Sequence, residues 1–346
     1  MTLRTAARTL LSAVALASPL LALAGCPSGE SEQPPEKLIV YCGRSEGLLK
    51  PVFERFERET GVQVDVAYGQ STPAMANQLA LEVRSGGATP CDLFLAQDSG
   101  HLGALGEAKI LSPLPAELLE LADERFRDPA GRWVGTSGRL RVLVYDPKRT
   151  PRERLPKTLA DLPKCGLRLA WAPSNGSFRA HVSAMLVHWG EDQTRAWLEA
   201  MKAAEPVRFT ANSPQVSAVA AGEIDVGFVN HYYLHKLKKQ DPELAAENAS
   251  FASAGKVDNL LMIAGLGITA PEGPRRELAL RLAKFLLSQP AQEHFAHEIG
   301  EYPTVASVKV GAGVTPLAEI PLAPVQATDL IEVGRVAALL DELDVR

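Results

Sequence analysis

The 346-residue sequence predicts an α/β fold, with mostly parallel sheets flanked by helices. Three observations carry that expectation. Short apolar runs of strand length recur from Leu38 onward. Segments with apolar residues at helical spacing lie between them. The same strand–helix order repeats in the later half of the chain, and strands that alternate with helices imply parallel pairing with helices on both faces. The length predicts two domains rather than one.

Taken in order, "KLIVYC" is a strand, and Leu49, Val52, Phe53 and Phe56 then fall on one helical face that Gly61 ends. Val62, Val64 and Val66 alternate with polar residues as a second strand. "DLFLA" (92–96), "RVLVY" (141–145) and "LRLAWA" (167–172) are further strands. Ser213 is suited to cap a helix, with Pro214 at its first position and Gly222 at its end. "IDVGFV" (224–229) and "NLLMIAGLGI" (259–268) are strands. Leu278, Leu282, Phe285 and Leu286 mark an amphipathic helix before Pro290, and "VGRVAALLDEL" is the last helix.

Ligands of such sheets bind beyond the carboxyl ends of the strands. Four loops fall there: "GRSEG" (43–47), "QDSG" (97–100), "PSNGS" (173–177) and "NHYY" (230–233). In the last, two tyrosines stand side by side at a strand-to-helix junction. Adjacent residues of a strand point to opposite faces, so only a turn or a first helical turn lets both converge. A phenol is a hard oxygen donor that a highly charged cation can bind as phenolate. Two readings follow from the spacing: ligands for a trivalent ion such as Fe³⁺, or an aromatic ledge with hydrogen-bonded hydroxyls. In "PSNGS", Asn175, Gly176 and Ser177 lead into a helix whose free N–H groups suit an anion, or form a simple βα turn.

The chain begins with Arg4 and Arg8, an apolar run from Leu10 to Ala24, and Leu23-Ala24-Gly25-Cys26. This is a secretory signal (residues 1–25) ending in a motif that resembles the bacterial lipobox, with Cys26 lipidated. Residues 26–37 form a flexible tether, rich in Pro, Ser and Glu. The expected location is the periplasmic or cell-surface side, anchored to the membrane through the lipid alone. A net charge of −5 argues against a nucleic-acid binder. Cys42, Cys91 and Cys165 remain, so at least one thiol is free and one disulfide is possible. Ser177–His181 and Ser183–His188 lack a nucleophile-elbow motif, and no His-Glu-x-x-His is present, so an enzyme is not expected.

From about Lys37 to the C-terminus the chain resembles the ferric-iron-binding proteins of bacterial ABC transporters, class II periplasmic solute-binding proteins. The resemblance runs through "VYCGRSEGLLKPVFERFERETGVQV", "SGRLRVLVYDP", "WAPSNGSF", "NSPQVSAVAAGEIDVGFVNHYYLH", "AKFLLSQPAQEHFA" and "GEYP". It implies a two-lobed type II fold with a hinge and a cleft between the lobes. One lobe would hold 38–138 plus about 263–313, and the other 139–262 plus about 314–346. The tandem tyrosines that bind Fe³⁺ in the family match Tyr232 and Tyr233. The loop for a synergistic phosphate or carbonate matches Asn175, Gly176 and Ser177, with Asn212, Asn230 and Arg139 nearby. The family's first-loop histidine is replaced by Ser45, its glutamate by Gln97, and a third tyrosine by Phe178. Glu46, Gln97 and Asp98 are therefore the candidate replacement ligands. The implied role is iron capture by a monomer and delivery to ABC permease subunits. The alternative is the same shell with a phosphonate, polyamine or thiamine-like guest.

Overall fold

The computed structural model describes residues 37–69, 71–86, 89–253, 255–330 and 333–345. The signal segment, the tether and Cys26 lie outside the described residues. Strands are β1 (Lys37–Cys42), β2 (Gln63–Tyr68), β3 (Leu93–Ala96), β4 (Val134–Tyr145), β5 (Leu169–Trp171), β6 (Val207–Arg208), β7 (Val226–Asn230), β8 (Glu247–Ala249) and β9 (Leu261–Ile268). Helices are α1 (Glu46–Thr60), α2 (Thr72–Gly86), α3 (Ser99–Glu107), α4 (Ala116–Leu119), α5 (Gly176–Trp189), α6 (Glu191–Ala203), α7 (Asn212–Ala221), α8 (Tyr232–Lys238), α9 (Pro274–Leu286), α10 (Gln289–Glu293) and α11 (Val333–Glu342). Among the described residues no helix is long and apolar enough to cross a membrane.

The helical spacing read from the sequence becomes a buried face. Leu49, Val52, Phe53 and Phe56 of α1 are all buried, and Gly61 ends the helix at φ 73°, its N–H donating to the Glu57 carbonyl. The helix expected to start after Ser213 begins at Asn212 instead, with Ala211 extended before it. Ser213 and Pro214 thus sit within the first turn, where a missing N–H is still harmless.

The strands form one sheet path, β2-β1-β3-β9-β4-β7-β5-β6, with β8 on β4. Pairing is parallel for β1 with β2 and β3, and for β5 with β6 and β7. The middle of the path is antiparallel: β3–β9, β9–β4, β4–β7 and β4–β8. The parallel pattern therefore describes the two flanks, and the long strands between them run against it. β4 pairs through Val134–Leu140 with β9 and through Arg141–Tyr145 with β7. All twelve of its residues are buried. Only its apolar second half reads as a strand in the sequence, because Gly135, Gly138, Ser137 and Arg139 break the apolar pattern of the first half.

Two large apolar clusters flank β4. One joins residues of 38–134 to others of 263–308, with Tyr232 at its edge. The other joins residues of 143–262 to others of 330–345. A smaller cluster packs β4 against α7, α8 and Tyr302. Cys42, Cys91 and Cys165 are all free, so the possible disulfide is not formed. Burial pushes the Cys42 thiol up to about 11 and Cys91 up to about 12.

The β4–β9 seam is tightest where Gly135 faces Gly265. A Cβ on Gly265 would stand 2.6 Å from the Val134 carbonyl oxygen. Gly265→Ala is expected to cost about 1–3 kcal/mol, read as a lower urea midpoint with an unchanged slope.

Candidate metal and anion site

β7 ends at Asn230, and His231 turns the chain into α8 with φ −55° and ψ −38°. Three elements pin that turn. The Leu140 N–H of β4 donates to His231 Nδ1 at 3.1 Å, Asn248 Nδ2 donates to the His231 carbonyl at 2.8 Å, and the Tyr302 ring stacks on the imidazole at 4.6 Å. Burial pulls His231 down to about 4, so the ring is neutral, with its proton on Nε2. Tyr232 and Tyr233 then form the first turn of α8. Their rings stack at 4.3 Å and 29°. Tyr232 is buried and Tyr233 half-buried. Burial, then the neighbouring Tyr233 and Glu301, push the Tyr232 hydroxyl well above the usual phenol range, while Arg139 pulls it back.

Three arginines are buried beside the pair. Arg44, from the first loop, meets Glu301 at 2.6 Å, with side chains 2% and 0% exposed. Ser137 Oγ accepts from Arg44 at 3.2 Å and donates to Glu301 at 2.5 Å. Arg139 and Arg141 have no carboxylate partner among the described residues. Arg139 donates to the Gln97 carbonyl, and its Nε has no partner. Arg141 Nη1 donates to Asn212 Oδ1 at 3.1 Å and to Asn230 Oδ1 at 3.3 Å, and Nη2 donates to the Phe228 carbonyl at 2.9 Å. The guanidinium lies 4.1 Å above the Phe228 ring. Burial pulls Arg141 down to about 9, opposed by Tyr233, so it remains protonated at neutral pH.

The loop between β5 and α5 reaches the same network. Asn175 caps α5 by accepting from the Ser177 N–H at 3.0 Å, and Ser177 Oγ accepts from Asn230 Nδ2 at 2.8 Å. Asn212 Oδ1 also accepts from the Asn230 N–H at 3.3 Å, and its Nδ2 is buried without a partner. A cavity of about 450 Å³ is lined by Asn175, Gly176, Ser177, Arg139, Gln97 and Asp98, among others. The tyrosines are not in its lining; Arg139, which is, also acts electrostatically on Tyr232.

The loops after β1 and β3 are tied together by Thr72, whose Oγ1 donates to the Gly43 carbonyl at 3.1 Å and accepts from the Gln97 N–H at 2.9 Å. Asp98 caps α3 and meets His101 Nδ1 at 2.7 Å. Glu46 stands apart, exposed on the first turn of α1 and paired with Lys50 at 3.1 Å. Phe178 is core, edge-on to Trp171 at 5.5 Å. Among the described residues no three His, Cys, Asp or Glu side chains gather in a metal-holding group.

Sequence reasoning missed Arg44, Arg141, Ser137, Glu301 and His101. One signal was present: Arg139 and Arg141 are two apart in an apolar strand, which puts both on one face. Glu301→Gln removes the charge opposite buried Arg44, and is expected to cost about 3–5 kcal/mol in urea unfolding.

A family model described as bacterial extracellular solute-binding protein matches residues 38–298. The Fe(3+)-binding periplasmic protein of Serratia marcescens is 36% identical over 223 residues, which span 63% of this chain and 63% of that protein's length. The major ferric iron-binding protein of Neisseria meningitidis serogroup A is 28% identical over 312 residues, 88% of this chain and 92% of the relative. The crystal structure of iron-bound HitA from Pseudomonas aeruginosa superposes with a TM-score of 0.79 at 27% identity, covering 89% of this chain and 99% of the other.

Proposed function

The chain belongs to the bacterial extracellular solute-binding protein family, and on that premise we propose that it captures Fe³⁺ outside the cytoplasm and hands it to the permease subunits of an ABC transporter. The family is one of substrate-binding transport proteins, not enzymes, and the fold is the type II periplasmic-binding fold. The observation that carries the iron reading is the stacked pair Tyr232 and Tyr233 on the first turn of α8, beside two buried cations. Relatives named for ferric iron binding support it.

In this reading both phenols bind the ion as phenolates. Two phenolates leave Fe³⁺ one positive charge, and Arg139 and Arg141 add two more. The remaining coordination therefore calls for an anion. Asn175, Gly176, Ser177, Asn212, Asn230 and Arg139 would hold phosphate or carbonate, since they surround or adjoin the cavity with donors. Gln97 and Asp98 stand at the cavity wall, whereas Glu46 would first have to leave Lys50. The cleft would lie between a lobe of 38–138 plus about 263–313 and a lobe of 139–262 plus about 314–346. The two separate apolar clusters support that division. Lipidation at Cys26 would hold a monomeric carrier at the membrane, on the periplasmic or cell-surface side.

Adding ferric citrate to the protein is expected to produce a visible tyrosinate-to-iron band, with Tyr232→Phe and Tyr233→Phe each weakening or removing it. A wild-type protein that gives no band sinks the iron reading. Proton traffic provides a second check. The Tyr232 hydroxyl is held well above its usual range, so it is protonated at neutral pH before iron arrives. Coordination as a phenolate must expel that proton. Apparent affinity should therefore rise with pH and fall on acidification, and titration in unbuffered solution should release acid.

A metal-free oxyanion such as a phosphonate is a second reading, favoured by the Arg139 guanidinium on the cavity wall, which has no carboxylate partner among the described residues and an unpartnered Nε. It predicts calorimetric binding of methylphosphonate without iron and no visible band.

A further inference from the structure

We propose that Arg179 joins Arg139 in holding the phosphoryl group of a hydroxylated organic phosphate, in the cavity where α5 begins. This rests on the reading of that cavity as an anion site and names its guest, whether or not iron accompanies it.

Arg179 is the fourth residue of α5, which starts at Gly176, and both line the cavity of about 450 Å³. Residues three apart on a helix share a face. The Arg179 side chain and the first N–H groups of α5 therefore serve one space. Arg179 Nε is buried without a partner, and no carboxylate pairs with this guanidinium among the described residues. Arg139 joins the same lining from β4, 1% exposed and again with an unpartnered Nε. Buried donors left without acceptors are costly, so two such guanidinium groups on one cavity call for an anion there. Ser177 Oγ accepts from Asn230 Nδ2 and so keeps its own proton to donate. A carboxylate brings one charge and two oxygens. A phosphoryl group brings close to two charges and three acceptor oxygens. It is the better match for two guanidinium forks, a hydroxyl and a helix N-terminus.

The cavity is too large for that group alone. Small-molecule sites span roughly 300–1,000 Å³, and this one is of that size. The rest of its wall offers acceptors. Asp98 Oδ1 accepts from the His101 N–H at 3.1 Å and from the His101 ring Nδ1 at 2.7 Å. Nδ1 must then carry the proton, which leaves Nε2 with a lone pair. Against the cost of burial, the His101 hydrogen bond holds the Asp98 carboxyl below its usual range, so it stays ionised. An ionised carboxylate repels a second anionic group but accepts from hydroxyls. The body of the guest is therefore hydroxylated rather than charged.

The iron-free protein is titrated by calorimetry with glycerol 3-phosphate, methylphosphonate, inorganic phosphate and citrate. Glycerol 3-phosphate should bind most tightly, by about 10-fold or more over inorganic phosphate and methylphosphonate. Arg179→Ala should weaken it by roughly 10–100-fold, and Arg179→Lys, which keeps the charge and loses the fork, by less. Both variants should melt at the wild-type temperature without ligand, because Arg179 has no carboxylate to abandon. Equal affinity for glycerol 3-phosphate and the two smaller anions, tighter binding of citrate, unchanged affinity in Arg179→Ala, or a lowered ligand-free melting temperature in both variants overturns the assignment. If none of the four anions binds wild type, the anion reading of the cavity falls with it.

Discussion

Two guanidinium groups on one face of β4 set the terms for everything around them. Arg139 and Arg141 are fully buried and face no carboxylate among the described residues. An isolated buried charge is costly unless dipoles replace its water shell. The protein answers with acceptors: the Gln97 and Phe228 carbonyls, the Asn212 and Asn230 side chains, and the face of the Phe228 ring. Hydrogen bonds to a charged group contribute about 1.5–3 kcal/mol each. Those acceptors fix where α7 begins, where β7 ends and how the β3 loop is held. The third arginine, Arg44, follows a different rule. It is matched by Glu301, so it links the first loop to the segment before Tyr302 without adding net charge.

The tyrosine pair is complementary to this arrangement. Tyr232 lies between opposing influences, with Glu301 favouring the neutral phenol and Arg139 the phenolate. In the empty state burial decides, and the hydroxyl keeps its proton. In the proposed iron-bound state a trivalent cation would reverse the balance, since the phenolates it creates would also be counter-ions for the arginines. The same buried charges that lack a counter-ion would then gain one.

The apolar framework was legible in the sequence because its signals are local. Val62–Val66 alternates, Leu49 to Phe56 follows a helical face, and Gly61 supplies a left-handed stop, all within a few residues. The tyrosines were legible by position, at the carboxyl end of a strand. Other features depend on partners far along the chain. Arg44 and Glu301 are 257 residues apart, and Ser137 joins them from β4. The first half of β4 was hidden because its buried residues are glycines, serine and arginine rather than aliphatics. The start of α7 shifted because Asn212 is recruited by Arg141 and by the Asn230 N–H, a demand that no capping pattern near Ser213 contains. His101 was passed over because one histidine in an otherwise unremarkable helix says nothing until its carboxylate neighbour and the cavity are seen together.

Pairing along β4 passes from β9 to β7 between Leu140 and Arg141. Arg139 is therefore held on one side of that changeover and Arg141 on the other. The charges proposed for recognition and the changeover of strand partners thus occupy one short piece of backbone. Replacing either arginine to suit a neutral solute would remove the bonds that tie the strand to the β3 loop, α7 and β7 along with the charge. New specificities on this scaffold should come more easily from the loops around the cavity than from the strand beneath it.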